Sequence, residues 1–221
     1  MDDTLQFILS LSVVFAVIIG IVRFREIDAS YYPFLYCLAL SLVTEIIIRI
    51  LSGAGNWNGS VIVVNVFSLV EFCLFTWLFH NWGLFSHRKS TFLSVLGAFF
   101  IAWLVINISI NHFIRGGFYF FILYSFALIF FSVTTFNKLI VNERKSIFRN
   151  PKFWICLGIV IFYSFFSVRA TTRVSFVVGG LSETFWKKWY EINVYSNLLV
   201  NLLYAVAVIW IPRKKKFTTR F

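Results

Sequence analysis

Glu71 has more chemical potential for its position than any other side chain in this sequence. It sits in the apolar run 61–79, flanked by Val70 and Phe72, with no charged residue within a helical turn. A carboxyl at membrane depth is costly, so one that is kept there is a candidate for holding a proton, a cation or a ligand. Asn65, Ser68 and Glu71 recur every three residues and on a helix would form a slowly turning polar stripe. In the run before it, Glu45 and Arg49 stand four apart, the spacing of an internal ion pair. The last apolar run repeats Asn193, Asn197 and Asn201 every four residues, and Tyr204 continues that face. Asn107 and Asn111 share the same spacing near the end of run 91–110. Amides and carboxyls so placed either line a polar pocket or join helices, each bond then contributing about 0.6–2 kcal/mol.

Catalytic constellations are poorly represented. A metal-dependent hydrolase working in the bilayer needs several histidines at depth, and His80, His87 and His112 all fall at run ends or between runs. No aspartate lies in an apolar run, so an aspartyl dyad is excluded, and no G-x-S-x-G elbow occurs. No run contains a lysine to carry a Schiff base. Cys37, Cys73 and Cys156 fall inside runs without C-x-x-C spacing and read as small buried residues rather than a disulfide framework or zinc site. No catalytic residue, metal ligand or cofactor is therefore assigned.

The elements that must carry these residues are seven apolar runs: 5–22, 31–51, 61–79, 91–110, 116–136, 153–168 and 192–211. A hydrocarbon core of roughly 30 Å takes about 20 residues of helix to cross, and in lipid the backbone must satisfy its own hydrogen bonds. Composition agrees: 60 % hydrophobic, 13 % charged, mean hydropathy +0.84. The expected fold is all-α, one polytopic domain over residues 1–221 built as a bundle of seven transmembrane helices. Signal peptides start with positive charge, whereas this chain starts Met1-Asp2-Asp3 and places Arg23 and Arg25 after the first run, which reads as a retained span. Pro33, Pro151 and Pro212 all lie at run ends, so the broken midplane helices of many transporters are not indicated.

Lysines and arginines set the orientation. Alternate connections plus the tail hold fourteen of them, and the opposite set (Arg49, Arg115, Arg169, Arg173, Lys187, Lys188) holds six. The positive-inside rule then puts the N-terminus outside and the basic tail, 213–221, in the cytoplasm. The formal net charge of +11 is thus spent on orientation and on anionic headgroups at the cytoplasmic face, and no specific nucleic-acid binding is expected. In the outer segment 169–191, Ser182-Glu183 reads as a helix start, and Trp186, Lys187, Lys188 and Trp189 as an anchor at headgroup level.

The stretch Asn65-Val66-Phe67-Ser68-Leu69-Val70-Glu71-Phe72, together with Phe153-Trp154-Ile155, Asn197 and Asn201, resembles a family of small seven-helix bacterial integral membrane proteins of Bacteroidetes type. The resemblance implies a bacterial inner-membrane location and seven spans, and it carries no chemistry. The sequence points to a non-enzymatic, receptor-like or accessory module acting through a membrane or cytoplasmic partner. Its outward-facing polar pocket would be lined by Glu45, Arg49, Asn65, Glu71, Asn107, Asn193, Asn197, Asn201 and Tyr204. The alternative is a small transporter or channel using Glu71 as a proton or cation site.

Overall fold

Apolar runs that cannot pair their backbone with water become helices, and helices account for nearly all of the computed structural model. It describes residues 9, 11–86, 88–110, 117–142, 147–172 and 183–214. Among the described residues seven helices follow in order: α1 (Val13–Arg23), α2 (Tyr32–Gly53), α3 (Trp57–Asn81), α4 (Lys89–Val105), α5 (Phe118–Asn142), α6 (Pro151–Thr172) and α7 (Glu183–Trp210). One π-turn, Ile106–Ile110, prolongs α4, and 3-10 turns at Ala29–Tyr31 and Ile147–Arg149 lead into α2 and α6. Among the described residues the only extended pairing is a single antiparallel bridge, Ile27 to Arg213.

Six of these helices are long and apolar enough to cross a membrane; α1 has 11 described residues, and the first part of the expected span 5–22 lies outside the described residues. The run 192–211 belongs to a longer helix: α7 is helical from Glu183 on, and Ser182, expected to start it, lies outside the described residues. The surface agrees with lipid as solvent. Val22, Ile21, Phe130 and Ile101 are each more than 60 % exposed, a display of apolar area that a water-facing domain would bury.

Two tight turns are built on glycine. After α2, Gly55 takes φ +73°, its N–H reaches Ser52 O at 3.1 Å and Asn56 N reaches Leu51 O at 2.9 Å. After α3, Gly83 takes φ +79° with the matching bonds to His80 O and from Leu84 N to Phe79 O. Both are Schellman endings, in which a left-handed residue lets the last carbonyls find donors. Asn56 then caps α3, its Oδ1 accepting from Gly59 N at 2.9 Å. Pro33 and Pro151 stand in the first turns of α2 and α6, where a missing N–H costs nothing.

Contacts run from α1 to α2, α3, α5, α6, α7 and back to α1, closing a ring. α4 packs outside it, against α3 and α5, with only 11 % of its most apolar stretch buried where the other five spans bury 28–44 %. Phe72 stacks on Phe99 at 4.1 Å and His80 on Phe92 at 4.5 Å to hold it there. The ring is closed at one end by Arg23, whose guanidinium donates to the carbonyls of Val208 at 2.5 Å, Ile209 at 2.6 Å and Ile211 at 3.0 Å. These carbonyls lie at the C-terminal end of α7, where i+4 donors run out, and a cation suits the negative end of the helix.

Candidate functional site

The buried face of α3 carries Asn65, Ser68 and Glu71 inward, as their spacing requires. Glu71 is 6 % exposed, and its Oε2 accepts a hydrogen bond from the Tyr124 hydroxyl of α5 at 3.1 Å. Tyr163 of α6 lies beside the same carboxyl, fully enclosed, with its hydroxyl directed at Glu71 and Tyr124. The rings lock this corner: Tyr124 meets Tyr163 edge-on at 5.5 Å, and Phe75 meets Tyr163 at 6.2 Å. Cys37 of α2 and Tyr204 of α7 are near enough to feel the charge of Glu71. Five helices of the ring thus converge on one carboxyl. A carboxyl taken from water is costly unless donors replace it, and the tyrosine hydroxyls are the donors at hand.

Tyr204 reaches the centre because residue 158 is glycine. A Cβ there would collide with the ring, and on its other side Phe34 meets Tyr204 edge-on at 5.2 Å.

A second group lies further along α3. Asn65 Oδ1 accepts from Gly117 N at 3.0 Å, and Asn65 O accepts from Trp103 Nε1 at 2.9 Å and from Ser68 Oγ at 2.8 Å. Asn107, in the π-turn, donates Nδ2 to Trp103 O at 2.9 Å, which fixes its amide orientation and leaves the fully buried Oδ1 without a partner. A Cβ on Gly117 would stand 2.9 Å from Asn65 Oδ1 and 3.8 Å from Asn107 Oδ1, so both amide oxygens lie close against this glycine. A single turn of π-helix is a frequent companion of functional positions.

The nine pocket residues expected from sequence do not form one wall. Asn65 and Glu71 belong to the two groups above, with Asn107 and Tyr204 as their neighbours. Asn201 instead faces α1, giving Nδ2 to Ser12 Oγ at 2.9 Å and to Asn197 Oδ1 at 3.5 Å, while Asn193 is half-buried. The α7 amides therefore join the first and last helices. Glu45 is half-buried and Arg49 exposed, on the C-terminal half of α2, whose fully buried positions end at Thr44. Of the anchor, Lys188 is exposed and Trp189 stacks on Phe185 at 6.1 Å, while the side chains of Trp186 and Lys187, Asn111 and the tail beyond Lys214 lie outside the described residues.

Tyr124, Tyr163, Trp103 and Gly117 were not singled out from sequence. An aromatic residue in an apolar run looks the same whether its polar atom meets a carboxyl or the interface. Two cavities open on the bundle, about 320 Å³ lined by Ala29, Ser30, His80 and Asn81, and about 510 Å³ between α1 and α2. Glu71 lines neither. No group of three or more metal-ligating side chains occurs among the described residues. No family model, curated protein or solved structure matches the chain.

Proposed function

We propose that this chain is a non-enzymatic multi-pass membrane protein, a receptor-like or accessory module of a bacterial inner membrane that acts through a partner protein. In this reading its N-terminus is outside, seven spans cross the bilayer, and the basic end meets anionic headgroups in the cytoplasmic leaflet. The kinship with small seven-helix proteins of Bacteroidetes type belongs to the same proposal. The observation that carries it is Asn107 Oδ1, a buried acceptor without a partner, held facing Asn65 Oδ1 across Gly117. A ligand for that place brings a hydrogen-bond donor, because an unmet buried acceptor costs about 1–3 kcal/mol. The test is a thermal-shift series of the detergent-solubilised protein against small primary amines and polyols. A donor that raises Tm in the native protein and not in Asn107→Leu supports the reading. A uniformly flat series, with Asn107→Leu more stable than native, sinks it.

A second reading, a small proton- or cation-coupled carrier or channel, draws on a different observation. Glu71 is a buried carboxyl with the Tyr124 and Tyr163 hydroxyls beside it, a set able to hold and pass a proton. Glu71→Gln in proteoliposomes should then abolish ion flux in a protein that still folds. Absence of flux in the native protein removes this reading and leaves the first untouched.

A further inference from the structure

The larger cavity is a groove between α1 and α2, about 510 Å³, within the range of about 300–1,000 Å³ typical of ligand clefts. Its walls are apolar, including Val17, Ile21, Leu35 and Ala39, and Gly20 deepens it because a Cβ there would press on Leu35 at 3.0 Å. Its lining is not uniformly greasy. Arg25 and Tyr36 belong to it, and Phe24, also lining, stacks on Tyr32 at 4.9 Å. Over that Tyr32 ring lies the Lys214 ammonium, 5.0 Å from the centroid, brought there by the backbone bond from Lys214 N to Glu26 O at 2.6 Å. Long apolar walls with an aromatic and cationic mouth match a lipid at headgroup depth.

Charge narrows the class. Around the mouth, Arg213 is paired with Glu26 at 3.1 Å, a neutral unit. Arg25 and Lys214 add two positive charges, and Asp28 adds one negative. Asp28 stays ionised: the two Ser30 donors on its Oδ1, at 2.9 Å and 2.7 Å, hold its carboxyl below the ordinary 3.8. With Arg23 bonded to the α7 carbonyls at the same end and Lys152 near enough to Asp28 to favour its ionised form, the mouth is net positive, which suits a phosphodiester.

From this geometry we infer that the α1/α2 groove is a binding site for an anionic glycerophospholipid, one acyl chain lying along Val17, Ile21, Leu35 and Ala39 and the phosphodiester set on Arg25 and Lys214. This deepens the expected meeting with headgroups: it rests on a bilayer environment and on neither functional reading of the polar core. Such a lipid would brace α1 against α2, since their direct contact is slight beside that of α5 with α6.

The experiment uses the full chain in nanodiscs of phosphatidylcholine doped with phosphatidylglycerol, phosphatidylethanolamine or diacylglycerol, followed by stepwise detergent delipidation and lipid counting by native mass spectrometry. Phosphatidylglycerol should remain as one retained molecule per chain, at least fivefold over phosphatidylcholine, and diacylglycerol should wash away. Ala39→Trp, at an exposed position of α2, fills the groove without touching the core and should release the lipid, as should Arg25→Gln with Lys214→Gln. Equal loss of all lipids from the native protein overturns the site, and this arm needs no variant to fold. Retention unchanged in Ala39→Trp overturns the groove as its place. Inorganic phosphate raising Tm as much as phosphatidylglycerol overturns the lipid in favour of the free anion.

Discussion

The Tyr124 hydroxyl of α5 donates to Glu71 Oε2 of α3 at 3.1 Å, which makes the deepest carboxyl a link between two helices. Glu71 is at once the group most able to do chemistry and a fastening of the ring. Both roles make it sensitive to substitution, and a double-mutant cycle separates them. Tyr124→Phe should lower stability by about 0.6–1.7 kcal/mol, the measured range for bonds between membrane helices. Combined with Glu71→Gln, the two losses should be less than additive. Strict additivity in unfolding of the reconstituted protein would show that the bond contributes nothing.

Gly158→Ala should cost about 1–3 kcal/mol through overpacking, since its Cβ collides with the Tyr204 ring. Tyr204→Phe keeps the offending ring carbons and should give no relief, whereas Tyr204→Leu should restore part of the loss. Thermal unfolding of Gly158→Ala, alone and combined with each Tyr204 variant, reads this directly. Equal rescue by Phe and Leu would mean the hydroxyl, not the ring, is what Gly158 accommodates.

Gly117→Ala should separate α5 from α3 at the other polar group, because the new carbon would stand 2.9 Å from Asn65 Oδ1, the acceptor of the Gly117 N–H. A Tm lower than native by several degrees is expected, with the Trp103 indole losing its bond to Asn65 O. Tryptophan emission unchanged between native and variant, at equal Tm, would contradict that arrangement.

Arg23→Lys should behave as a severe change despite keeping the charge. A guanidinium reaches three carbonyls at the end of α7, and an ammonium cannot span them in the same fork. The expected loss is at least the roughly 1.5–3 kcal/mol of one charge-assisted bond. Limited proteolysis should then cut after Trp210 far sooner than in the native chain.

Acid should loosen the same end of the bundle. The folded carboxyl of Asp28 titrates below its ordinary 3.8, so its contribution is complete above that value and is lost as the pH falls through the lowered one. Asp28→Asn should therefore flatten the acid limb of the stability profile and leave the neutral region unchanged. An acid limb as steep as in the native protein would assign it to other carboxyls.

The polar stripe of α3 was legible because a helix repeats every 3.6 residues, so Asn65, Ser68 and Glu71 had to share a face whatever surrounded them. The stripe on α7 was equally legible, yet its direction was not: Asn201 turns to Ser12 on α1 and away from the pocket expected of it. Glu45 and Arg49 fell outside the core for a related reason. Burial along α2 stops at Thr44, and where a helix leaves its neighbours is a property of the packed bundle.

What the sequence determined by itself was the solvent and the secondary structure. Runs of apolar residues without partners for their backbone leave helices as the solution, and the excess of charge between them marks their ends. Which helix faces which, and so which donor meets Glu71, was decided by the tertiary structure. Membrane helices gain little from apolar contact that lipid would not also provide, so their pairing follows local shape and a few polar bonds. Gly158 admitting Tyr204, Gly117 admitting Asn65, and Arg23 closing α7 are such details, and each becomes visible only when helices far apart in sequence are brought together.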